Sequence, residues 1–120
     1  MMQTVIPAAL SDTAYTQAMI QKGGRLYEQR KAAFEELDKI PGLSYVKNDA
    51  AFYVFPRIEA GVIKDDKIFA RELLLQKHIL IVPGSGFHWD APDHFRIVLL
   101  PEPDTLRLAV RKMGEFINRA

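Results

Sequence analysis

The sequence contains no cysteine, which excludes a disulfide framework, a thiolate metal site and catalysis by a cysteine nucleophile. It also lacks any run of five like charges, and sixteen basic against fifteen acidic side chains leave a formal charge of only +1. Without a basic patch or tail, nucleic acid and anionic membrane are poor partners. No apolar stretch approaches the roughly 20 residues a transmembrane helix needs. The opening Met1 to Leu10 has no basic leader, and Pro7 breaks its short apolar run, so it does not read as a secretion signal and the expected compartment is the cytoplasm.

The chemistry-bearing residues are sparse as well. His78, His88 and His94 form no i, i+4 pair and have no cysteine beside them, so no metal site is expected. Ser85, His88 and Asp90 could be imagined as a triad, but the nucleophile-elbow signature is missing. Gly84-Ser85-Gly86 is too short for a dinucleotide or phosphate-loop fingerprint, and no helix is expected after it.

What is present suffices for one domain. The chain has 120 residues, 48% of them apolar and 26% charged, enough for a real core. Ser11 or Asp12 can cap a helix over Thr13 to Gln21, ended by Gly23-Gly24. A second helix should run from about Arg25 to Lys39, with Leu26, Arg30, Ala33, Phe34 and Leu37 at helical spacing and Pro41-Gly42 as its stop. Ser44-Tyr45-Val46 and Ala51 to Phe55 read as two strands around a Lys47-Asn48-Asp49 turn. A third helix starts at Asp65-Asp66 and ends at Lys77-His78, its charges suiting the helix dipole and its Ile68, Phe69, Leu73 and Leu75 facing the core.

Ile79 to Val82 is a continuous apolar run, the pattern of a strand buried on both faces. Phe95 to Leu100 makes another strand, and Asp104 caps a last helix with Leu106, Val110, Met113 and Ile117 on one stripe. This order predicts an α/β fold of the α+β two-layer kind, a small sheet covered by helices.

Arg96 is the residue with the most specific chemistry. A guanidinium presents a rigid fork of donors that matches the two oxygens of a carboxylate. Alternation along the strand sets Phe95, Ile97 and Leu99 on one face and Arg96, Val98 and Leu100 on the other, and an arginine among apolar neighbours needs a partner. Spacing alone leaves a bland alternative ahead: a surface arginine, or one paired to a local acid such as Asp93. Phe52 and Tyr53 point to opposite sides of their strand, so at most one can line a site. His88 and Trp89 are read as packing the loop before Arg96.

Four stretches in order resemble the small, C-terminal domain of the class I and II pyridoxal-phosphate aminotransferases. Gly23 to Arg30 looks like its first helix, Ala51-Phe52-Tyr53-Val54-Phe55-Pro56 like its aromatic strand, and Pro83-Gly84-Ser85-Gly86-Phe87 followed by His94-Phe95-Arg96-Ile97 like its glycine turn and arginine strand. Leu99-Leu100-Pro101 with Asp104 and Leu106 looks like the subgroup of bacterial alanine aminotransferases. The resemblance implies that residues 1–22 are a helical lead-in from the large domain and residues 23–120 the small domain. It implies that Arg96 binds the substrate α-carboxylate, with Phe52 as a candidate pocket wall.

It further implies pyridoxal 5'-phosphate in the full-length enzyme, held by a Schiff-base lysine of a large domain whose motifs are missing here, so this chain is expected to carry neither cofactor-binding nor catalytic residues and to be inactive alone. Amino-acid and 2-oxo-acid substrates, alanine first among them, and a homodimer of the complete enzyme follow from the same resemblance. One departure is Ala50, where the family usually has glycine; negative φ there would accommodate the methyl group. Two other readings remain: an autonomous carboxylate- or amino-acid-binding module, and a domain of a lyase or synthase of the same fold.

Overall fold

The computed structural model describes residues 2–59 and 65–119. After a short 3-10 turn at Met2–Thr4 come α1 (Ile6–Ser11), α2 (Thr13–Ile20), α3 (Arg25–Leu37), β1 (Leu43–Ser44), β2 (Tyr53–Val54), β3 (Arg57–Ile58), α4 (Asp66–Lys77), β4 (Val82–Pro83), a 3-10 turn at Gly84–Phe87, β5 (Phe95–Val98) and α5 (Pro103–Ile117). This is the expected mixed architecture: a small antiparallel sheet with helices packed on it.

Helices α1 and α2 bury no side chain, and α2 rests mainly on α3. They lengthen the molecule to 50 Å and raise its radius of gyration to 16.5 Å, against about 14 Å for a compact chain of this size. Pro7 does not break this region, because it sits at the start of α1, where a missing N–H is tolerated. Neither expected cap of α2 forms: Asp12 makes no capping bond, and Ser11 Oγ donates to Ala8 O at 2.8 Å instead. Gly23 turns the chain at φ +87°, and a Cβ on Gly24 would lie 2.6 Å from Met19 O, so both glycines are required at the α2–α3 junction.

The two strands expected around residues 47–49 do not pair with each other. β1 pairs with β3, whereas β2 pairs with β5 in a sheet ordered β2-β5-β4. The register Tyr53↔Val98 and the bridge Arg57↔His94 belong to one antiparallel run. Bonds from Leu99 N to Phe52 O and from Ile58 N to Asp93 O, both 2.7 Å, close its ends. Pro56 has no N–H to give, which breaks the run into β2 and β3.

Val54, Ile58, Phe95, Ile97 and Leu99 point inward and meet Phe34 and Leu37 of α3, Phe69 and Leu73 of α4, and Val110, Met113 and Ile117 of α5. Ile68 and Leu75, expected in this core, are exposed, because they lie off the Phe69–Leu73 stripe of α4. The 79–82 run is not buried on both faces: Ile81 is covered while Leu80 is 79% exposed. Only Val82 of this run enters a strand, β4, which lies at the sheet edge with helices on one side only.

Helix α4 starts at Asp65-Asp66 as expected, and Asp65 is its cap, accepting from Lys67 N and Ile68 N at 2.9 Å. The N-cap of α5 is Glu102 rather than Asp104. Pro103 takes the first helical position and leaves Asp104 inside the first turn, where its charge still suits the helix end. Among the described residues no helix is long and apolar enough to cross a membrane.

Charged contacts tie α3 to α5: Arg107 Nη1 reaches Glu35 Oε2 at 2.6 Å, and Glu36 forms a more buried one. Glu36 is 3% exposed and receives Arg111 Nε at 3.0 Å and Nη2 at 2.8 Å, with Lys39 Nζ at 3.1 Å. The Arg111 bonds, followed in the same direction by Lys39, outweigh burial and hold its carboxyl at about 2 against an ordinary 4.5. Because the folded value is depressed, this contribution is complete above the ordinary value and is lost as pH falls through about 2.

Urea unfolding should therefore show stability falling between about pH 5 and pH 2, with Glu36→Gln flattening that slope. At neutral pH the variant should lose on the order of 2 kcal/mol, below the full cost of orphaning a buried charge because Arg111 is left in solvent. A second variant tests the turn at 84–87. A Cβ on Gly84 would meet His94 O at 2.8 Å, so Gly84→Ala should cost about 1–3 kcal/mol in the same assay.

Candidate functional site

Strand alternation gives the sheet an outer face opposite the core. Tyr53, Phe55 and Arg57 follow one another on it, and His94, Arg96 and Val98 lie across from them. The register that sets Tyr53 against Val98 and Arg57 against His94 puts Phe55 opposite Arg96. The 3-10 turn after β4 folds over part of this face and brings Phe87 to it.

Arg96 is held by rings. Its guanidinium carbon is 4.4 Å from the centroid of Phe87 and 5.6 Å from that of Tyr53. Such contacts favour a cation over an aromatic face but use none of its donors. Nε is buried and has no hydrogen-bond partner, and among the described residues Arg96 makes no ion pair. A buried donor without a partner carries a desolvation cost, and a planar acceptor offering two oxygens in the guanidinium plane removes it.

The local alternative, a pair with Asp93, is not formed. Asp93 accepts from Arg57 Nε at 3.0 Å, from Trp89 Nε1 at 3.3 Å and from His94 Nδ1 at 2.6 Å. Burial pushes its carboxyl up, but the bonds from His94, Trp89 and Arg57 prevail and hold it below the ordinary value. Trp89 packs as expected, its ring 5.6 Å from Phe55 and 4.5 Å from His94.

Beside Arg96 runs an apolar groove of about 270 Å³, walled by Leu80 and Val82, by Val98, and by Leu106 and Met113 of α5. Among the described residues Arg96 is the one charged side chain lining it. Phe52 lies elsewhere. It is half-exposed and lines a separate hollow of about 300 Å³ with Ile20, Tyr27 and Arg30. Tyr53, not Phe52, shares the face of Arg96. Phe87 is the other contact that sequence spacing does not reveal, since nothing local links it to a residue nine positions on. Ala50 is not at positive φ; the left-handed position is Ala51, at φ 67°. The Asn48 amide donates to Ala50 O and, at 3.2 Å, to Tyr53 O, holding that turn closed.

Pyridoxal phosphate needs a lysine near the carboxylate anchor, and the residues around Arg96 do not fit it. Lys31, Lys39, Lys47 and Lys77 are paired with Glu35, Glu36, Asp38 and Glu115, and no lysine lines the groove. Lys64 lies outside the described residues. Among those described, no group of three His, Asp or Glu could hold a metal ion.

The family model for aminotransferase class I and II matches residues 1–113. The glutamate-pyruvate aminotransferase AlaA of Escherichia coli (strain K12) is 43% identical over 118 residues, covering 97% of this chain and 29% of that protein. The alanine aminotransferase of Mycobacterium bovis is 42% identical over 117 residues, 96% of this chain and 27% of that protein. A crystal structure of an aminotransferase from Escherichia coli superimposes with a TM-score of 0.82 at 45% identity, over 85% of this chain and 26% of that one. The alanine aminotransferase from Pyrococcus furiosus does so at 0.73 and 40% identity, over 79% of this chain and 24% of that one. The chain thus spans less than a third of the relatives it matches, in their order and with their fold, and it belongs to the class I and II aminotransferase family.

Proposed function

We propose that this chain is the carboxylate-gripping domain of a pyridoxal-phosphate-dependent aminotransferase that moves an amino group between an amino acid, alanine first, and a 2-oxo acid. The observation that carries this reading is the Arg96 guanidinium, flanked by two rings, with a buried Nε that no group among the described residues satisfies. A substrate carboxylate supplies the missing acceptor. Once bound in the guanidinium plane, it fixes the direction of the bonds at the neighbouring carbon, and such positioning lowers a barrier by several kcal/mol. The grip also selects amino acids over simple amines. The apolar groove beside it suits a short aliphatic substrate, which agrees with the printed names of the relatives, glutamate-pyruvate and alanine aminotransferase.

In this reading residues 23–120 form the small domain and residues 1–22 lead in from the large one, which supplies the cofactor and its lysine. The exposed Leu80, Phe87 and Val98 then face that large domain. The complete enzyme is a cytoplasmic homodimer, and the chain alone is inactive.

In an enzyme containing this domain, Arg96→Lys should raise the KM for every amino-acid substrate and lower kcat, together reducing kcat/KM by about 100-fold, since lysine cannot copy the bidentate fork. Unchanged kinetics would contradict the role of Arg96. Borohydride treatment of the chain with pyridoxal phosphate should leave no stoichiometric adduct by mass; modification of a single lysine would show a cofactor site of its own.

A further inference from the structure

The buried carboxylate of Asp66 is not accounted for by the carboxylate grip or by the needs of its helix. It is 2% exposed at the first position of α4, yet the capping bonds there are made by Asp65. Both of its bonds go instead to one residue of the turn before β5: it accepts from Ser85 N at 2.7 Å and from Ser85 Oγ at 3.2 Å. The same turn is tied to the sheet by Gly84 N donating to His94 O at 2.7 Å, an approach that leaves no room for a Cβ on Gly84. Ser85 is thus fixed by α4 on one side while Gly84 is fixed by β5 on the other. Two residues later Phe87 sets its ring 4.4 Å from the Arg96 guanidinium.

We propose that Asp66 is a positioning residue of the carboxylate site: it latches the 84–87 turn so that Phe87 holds the Arg96 fork open toward its ligand. This rests on the reading of Arg96 as the carboxylate anchor. Without the latch, Ser85 N loses its buried acceptor, the turn moves to find another, and Phe87 leaves Arg96. The guanidinium then samples more orientations, and a bound carboxylate must meet the cost of ordering it.

The test uses this chain labelled with nitrogen-15. The Arg96 Nε–H signal reports the ring current of Phe87 without any ligand, and a pyruvate titration reports affinity. Asp66→Ala is expected to move the Arg96 signal toward its position in Phe87→Leu and to weaken pyruvate binding about fivefold. Combined with Phe87→Leu it should add no further loss, since both act through one contact. Ser85→Ala, which removes only the hydroxyl bond, should shift the signal the same way by less, and it carries the test if Asp66→Ala does not fold. An Arg96 signal unmoved in these variants, or losses that add in the double variant, would overturn the latch. Pyruvate affinity unchanged by Arg96→Lys would instead sink the carboxylate reading and leave the ring-current result standing.

Discussion

A guanidinium beside two aromatic rings, with a buried donor and, among the described residues, no acid to meet it, is the constraint on which the arrangement around it depends. Arg96 sits on the middle strand of the β2-β5-β4 sheet, so its backbone is bonded on both sides and its neighbours Phe95 and Ile97 are sunk in the core. The strand cannot rotate to release the charge without exposing those side chains, at a cost of about 1.5–3 kcal/mol each. The local acid that could have neutralised it is occupied by Arg57, Trp89 and His94. Among the described residues the charge is held in place without an acidic partner.

The rest of the fold supports that arrangement at increasing distance. The turn at 84–87 covers the outer face and is pinned from two directions, by His94 and by Asp66. Helices α3, α4 and α5 fill the inner face, and the Glu36–Arg111 contact braces α3 against α5. Rigidity at the anchor and an apolar groove beside it suit a ligand that is small, planar at its charged end and aliphatic elsewhere.

Much of this was legible in residue order, and the failures have physical causes. The α5 stripe, the acidic start of α4 at Asp65-Asp66 and the alternation of Phe95, Ile97 and Leu99 are local patterns, and the structure keeps them. The pairing of β1 with β3 was not legible, because which strands meet is decided by the shared core and not by the turn between them. Leu80 was misread because an apolar run cannot say whether a second layer covers it. Arg96 is singled out in the sequence by its chemistry and by the resemblance of its surroundings. Spacing alone favoured a local partner, and that partner proved to be engaged elsewhere. The ring contacts of Tyr53 and Phe87 with Arg96 are not legible in residue order: placing Tyr53 on the face of Arg96 requires the register with β5, and Phe87 is brought there by the 84–87 turn.

The central claim, that Arg96 waits for a planar carboxylate, is tested most directly by titrating the labelled chain with pyruvate and, separately, with pyruvamide, which matches its shape without the charge. The account predicts that the Arg96 Nε–H signal shifts saturably with pyruvate and stays in place with the amide. Equal shifts with both, or none with pyruvate, would contradict it.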